Sequence, residues 1–113
     1  MSDLRSMSCT PPRTGGPPLN KSEIETYLTQ TPDWKVFESD GIKRMTRQFK
    51  FNNFVTALEF TNRVGELAEQ EDHHPAILTE WGRVTVTWWT HAVNGLHLND
   101  FISAAKTDQI FTS

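Results

Sequence analysis

The strongest pattern in the chain is an apolar stripe near its middle. Ala57, Phe60, Thr61, Val64, Leu67 and Ala68 recur at spacings of three and four. That period predicts an amphipathic helix ending near Gln70, capped by Asn52 or Asn53. A period of two takes over in Arg83–His91, where Val84, Val86 and Trp88 alternate with Thr85, Thr87, Trp89 and His91. Alternating β-branched and aromatic residues predict a strand with Val84, Val86 and Trp88 on its core face. Leu78–Trp81 predicts a shorter strand before it, with Trp81-Gly82 as the turn. Upstream, Trp34–Glu38 and Ile42–Phe51 form two further β-like runs around Ser39-Asp40-Gly41. Asp-Gly favours a tight hairpin there, because glycine supplies the positive φ that the turn needs. Ile42, Met45 and Phe49 do not alternate cleanly, so this pattern leaves the register of their strand open.

Two more helices complete the pattern. Asn20-Lys21-Ser22-Glu23 has the form of a capping box, and Ile24, Tyr27 and Leu28 make a short stripe after it. Thr31-Pro32-Asp33 should end that helix. Beyond Asn94-Gly95 a last helix is predicted from about His97, with Leu98, Phe101, Ile102 and Ala105 on one face. The order is α-β-β-α-β-β-α. Hairpins pair antiparallel, so the expected class is α+β: a four-stranded antiparallel sheet with three helices packed on one face.

Composition narrows this picture. Residues 1–18 hold four prolines, two glycines and almost no large apolar side chains. A disordered tail is therefore expected, followed by a single domain over 19–113. Fourteen acidic residues against eleven basic ones give a net charge of −3, unlike the basic footprint of a nucleic-acid binder. No apolar run approaches the roughly 18 residues needed to span a bilayer, and the N-terminus lacks an apolar secretory stretch. The one cysteine, Cys9, allows no internal disulfide and no multi-cysteine zinc site. A cytoplasmic protein without a nucleic-acid or membrane partner is expected.

Candidate chemistry concentrates in the histidines. His73 and His74 lie where the middle helix gives way to Pro75, and His91 lies at the end of the best strand. The hairpin between them can return His91 to the neighbourhood of the pair. Imidazole serves as acid and as base near neutral pH, which makes such a cluster catalytically useful. The alternatives are three solvated side chains, or a metal site helped by Glu69, Glu71, Asp72 or Asp100. Against metal, neighbouring residues point apart, and no H-x-H or H-x3-H pair is present to converge on one ion. Trp81 and Trp89 suit either packing or the walls of a site for a flat heterocycle.

The string E-x3-H-H-P-x5-W-x9-H-x8-D, here Glu69, His73, His74, Pro75, Trp81, His91 and Asp100, resembles the signature of the pterin-4a-carbinolamine dehydratases. Thr90-His91 to Gly95-Leu96, and Asp100-Phe101-Ile102 with Ala104-Ala105, are similar to that family too. The likeness runs from about Leu19 to Thr107. Two positions depart from it: Ile77, where many relatives carry a larger aromatic residue, and His97, where Ser or Thr is frequent. The resemblance implies an antiparallel sheet with helices on one side, in chains that pair edge to edge as homodimers and associate through helices as homotetramers. It implies dehydration of 4a-hydroxytetrahydropterin to quinonoid dihydropterin, functionally coupled to an aromatic amino-acid hydroxylase, without metal or bound cofactor. By the same resemblance His73, His74 and His91 are catalytic, and Glu69, Trp81 and Asp100 bind the substrate. Asp100 is also suited to fixing an imidazole tautomer. Some relatives act as protein partners, one as a dimerisation cofactor for a transcription factor, so a binding module is the alternative.

Overall fold

A computed structural model describes residues 3–113. Its elements are α1 (Lys21–Leu28), β1 (Lys35–Ser39), β2 (Ile42–Lys50), α2 (Phe54–Glu71), β3 (Ala76–Glu80), β4 (Arg83–Trp88) and α3 (Leu98–Thr112). The order is the expected α-β-β-α-β-β-α, and the class is α+β. The strands form one antiparallel sheet in the order β1-β2-β4-β3.

Local chemistry explains the boundaries. Asn20 accepts from the Glu23 N–H at 2.9 Å while the Glu23 carboxylate accepts from the Asn20 N–H at 2.9 Å, a complete capping box at the start of α1. Asn53 caps α2, and Asp72 closes it in the left-handed conformation. Asp40 and Gly41 both take positive φ, 54° and 75°, as the tight β1–β2 hairpin requires.

Val84, Val86 and Trp88 of β4 have no solvent-accessible surface and face the helices, as their alternation predicts. Opposite them in β2 stand Phe49, Arg47 and Met45. Arg47 explains the broken alternation of that strand. It shares the core face, covers the rings of Phe49 and Phe111, and carries its guanidinium out to Asp108 at 2.6 Å. Asp108 also accepts from Trp34 Nε1 at 2.8 Å. Long cationic side chains bury their stems in this way while keeping the charge paired. Phe60 of α2 and Phe111 of α3 pack around Phe49, and Tyr27 ties α1 to Phe101 of α3. The other face of the sheet is mixed, with exposed Phe37 and Leu78 beside polar residues, among them Thr46 and Thr87 hydrogen-bonded across the strands at 3.0 Å.

Two expectations change. The strand expected to reach His91 stops at Trp88; after it, His91–Val93 form a 3₁₀ turn closed by the Thr90–Gly95 bridge. The segment expected to be disordered lies along the domain as far as residue 3. Leu4 is buried in the core, Met7 and Cys9 pack against it, and several backbone groups bond to the helices. Composition misses this, because the segment is held largely by backbone hydrogen bonds rather than by a side-chain stripe.

Candidate active site

The site begins where α2 ends. The left-handed Asp72 turns the chain out of the helix, and the His73 N–H still bonds to the Ala68 carbonyl at 3.1 Å. That turn lays the His73 ring on Trp88, with centroids 5.3 Å apart and planes inclined by 19°. His73 Nε2 lies 2.6 Å from Asp100 Oδ1. An ionised carboxylate only accepts, so this bond places a ring proton on Nε2, and in the neutral imidazole Nδ1 then carries the lone pair. The His73 side chain is 11% exposed and that of Asp100 is wholly buried.

Asp100 is the hub. It stands in the first turn of α3, and its second oxygen accepts from Thr90 Oγ1 at 2.8 Å and from the His97 N–H at 2.9 Å. Three donors on one buried carboxylate offset much of its desolvation. They also tie together three separate segments: the end of α2, the β4–α3 connection and the start of α3. Asp100 was expected to bind substrate. The structure leaves it no exposed surface and sets it against His73, where it is placed to fix an imidazole tautomer.

The other candidates are placed unequally. His74 is exposed and pairs through Nε2 with Glu69 Oε2 at 2.5 Å, one turn back on α2. His91 is exposed, next to the Thr90 that bonds Asp100, with its ring edge-on to Trp89 at 5.4 Å. The guanidinium of Arg44 covers Trp89 at 4.2 Å. Trp81 does not join the histidines within one chain. The pairing of Ala76 with Thr87 and of Glu80 with Arg83 puts it at the far end of the β3–β4 hairpin, 72% exposed. Five strand residues separate it from the His73 end, about 16 Å of extended chain. Among the described residues, no three His, Cys, Asp or Glu side chains form a metal-ligand group.

His97, expected at the start of the last helix, is its N-cap. Its Nδ1 accepts from the Asn99 N–H at 3.0 Å, while Asp100 reaches back to the His97 N–H, so H-x-x-D acts as a capping box. That spacing was visible in the sequence, but histidine is seldom considered as an N-cap. The His97 pKa is lowered from 6.5, chiefly by burial; Asp100 opposes the shift and His73 adds to it. The unfolded chain therefore binds more protons between the lowered value and 6.5, and this group's contribution to stability is lost as the pH falls below about 6.5. Protonation at Nδ1 would also remove the cap acceptor. Thermal melts across this range should show wild-type stability falling with acid, and His97→Ser, which keeps a cap, should flatten that part of the curve.

A family model described as "Pterin 4 alpha carbinolamine dehydratase" matches residues 17–110. A Nitrosococcus oceani protein, provisionally named pterin-4-alpha-carbinolamine dehydratase, is 54% identical over 97% of this chain and 97% of its own length. A Microcystis aeruginosa protein with the same provisional name is 52% identical over 98% and 96%. A solved structure from Brucella melitensis, described as a transcriptional coactivator/pterin dehydratase, superposes with a TM-score of 0.74 at 36% identity, covering 82% of this chain and 97% of that one.

Proposed function

The chain belongs to the pterin-4-alpha-carbinolamine dehydratase family, and we propose that it dehydrates 4a-hydroxytetrahydropterin to quinonoid dihydropterin by histidine acid–base catalysis. The observation that carries this reading is the His73–Asp100 pair, a largely buried imidazole oriented by a buried carboxylate. Water leaves the 4a carbon only if its oxygen gains a proton while the neighbouring ring N–H loses one. The C–O bond breaks, a C=N bond forms, and oxidation state is conserved. One protonated and one neutral imidazole supply both transfers, each worth about 10²–10⁴-fold.

In this mechanism His73 and His91 move the protons. His73 presents Nδ1, its tautomer fixed by Asp100. His91 is open to solvent and can exchange protons with it. His74, paired with Glu69 at the rim, holds the pterin and shares the acid–base work. Trp89, braced by Arg44, offers an aromatic wall beside His91. No metal or bound cofactor takes part. In the cell the reaction would serve tetrahydropterin recycling after aromatic amino-acid hydroxylation, in the cytoplasm.

Homodimers and homotetramers are part of the proposal. Exposed Leu78 lies on the edge strand β3, and Phe54, Val55 and Leu58 are exposed along α2, so apolar surface remains for both kinds of contact. The same α2 surface favours a second reading, a regulatory partner of another protein, in keeping with the description of the Brucella structure.

The test is to generate 4a-hydroxytetrahydropterin with a hydroxylase and follow its dehydration by absorbance, with the protein pretreated with chelator. Acceleration above the spontaneous rate, unchanged by the chelator, is the expected result. An unchanged spontaneous rate would leave the partner reading in its place.

A further inference from the structure

His73, Asp100 and the Thr90–His91 pair come from three separate segments of the chain. The N-terminal segment touches all three. The Cys9 N–H donates to Glu71 Oε1 at 2.7 Å, two residues before His73. Thr10 pairs both backbone groups with the buried side chain of Asn99, its N–H donating to Oδ1 at 3.0 Å and its carbonyl accepting from Nδ2 at 2.7 Å. Asn99 adjoins Asp100. The Gly15 N–H donates to the Ala92 carbonyl at 2.7 Å, next to His91, and the Leu19 N–H to the Leu96 carbonyl at 2.8 Å. Leu4 anchors the far end in the core, and its N–H bonds to Gln30 at 2.9 Å.

From these contacts we infer that residues 3–19 are a clamp that fixes the relative positions of the catalytic segments, with Glu71, Asn99 and Gly95 as the positioning residues it grips. This rests on the dehydratase reading and extends it to a stretch that mostly precedes the region matched by the family model. The physical reason is distance. Two proton-transfer groups serve one substrate only if their separation is held, and a displacement of about 1 Å can cost on the order of 10²-fold in rate. The His73–Asp100–Thr90 bonds set that separation from inside, and the clamp sets it from outside.

Gly95 gives the inference a sharp handle. A Cβ at that position would stand 2.8 Å from Pro18 Cβ. The Gly95 φ lies outside the left-handed range, so alanine suits its backbone and the obstruction comes from the clamp. Gly95 also bridges Thr90, so the clamp crosses the site where Thr90 reaches Asp100.

The experiment compares full-length wild type, Gly95→Ala, Gly95→Ala with Pro18→Gly, Thr10→Pro and the control Thr14→Ala. It measures kcat, KM, melting temperature and the NMR signals of the His73 ring. Gly95→Ala should lower kcat by about 10–100-fold with KM changed less than about threefold, and should shift the His73 signals. Pro18→Gly should restore both, because it opens space on the clamp side alone. Thr10→Pro, which removes the donor to Asn99, should act in the same direction if Gly95→Ala proves insoluble, and Thr14→Ala should behave as wild type. A lower melting temperature with unchanged kcat and unchanged His73 signals would overturn the inference, as would a Gly95→Ala defect that Pro18→Gly leaves untouched. A wild type without turnover would instead sink the dehydratase reading, and the His73 signals would still report on the clamp.

Discussion

Asp100→Asn should cut kcat by about 10²–10⁴-fold, the range of a proton-transfer contribution, while the protein stays folded. Asn has nearly the shape of Asp but offers one acceptor oxygen and one NH₂ donor. If the oxygen keeps Thr90 and the His97 N–H, the amide group meets His73 Nε2, which must then accept. The ring proton moves to Nδ1, and the lone pair that should face the substrate turns toward the protein. Asp100→Ala is the contrast. It leaves three donors facing a cavity, and each donor left unsatisfied there costs about 1–3 kcal/mol. Activity and melting temperature should fall together in that variant, whereas Asp100→Asn should lose mainly rate. Equal loss of both properties in Asp100→Asn would make Asp100 a structural group only.

His91→Ala should lose activity of a similar order with almost no loss of stability. The side chain is exposed, and its described contact is the edge of Trp89. Surface substitutions of this kind usually stay within about 0.5 kcal/mol. Activity should fall by about 10²-fold or more if the ring transfers a proton. Steady-state rates and thermal melts on the same preparation separate the two effects. A variant as active as wild type would remove His91 from the mechanism, and a parallel fall in melting temperature would give it a structural role.

The fold was largely legible because its elements carry local signals. Asn20 with Glu23, Asp40-Gly41 and the Val84–Val86–Trp88 alternation each specify geometry within a few residues, and each appears as expected. β2 resisted because Arg47 takes a core position, made tolerable by Asp108, sixty-one residues away, and by the more distant carboxylate of Asp33. The N-terminal segment resisted for a similar reason. Its partners Glu71, Asn99 and Ala92 are remote, and its bonds are made by backbone that carries no sequence signature.

The site was legible as a set of residue types more than as an arrangement. The resemblance pointed to His73 and Asp100, and the structure pairs the two with Asp100 wholly buried. Trp81 belonged to the same string, yet the strand register carries it to the opposite end of the sheet. His97 was placed at the start of the last helix, and its H-x-x-D spacing links it there to Asp100. Spacing along a chain records which residues recur together; hydrogen-bond partners and exposure decide which of them can reach a substrate.

The most direct measurement is the dehydration rate of freshly generated 4a-hydroxytetrahydropterin with wild type and with the His73→Ala/His91→Ala variant, side by side at neutral pH. Wild type should outpace the spontaneous reaction by orders of magnitude, and the folded double variant should fall to nearly the spontaneous rate. A folded double variant that keeps wild-type speed would contradict histidine acid–base catalysis at this site.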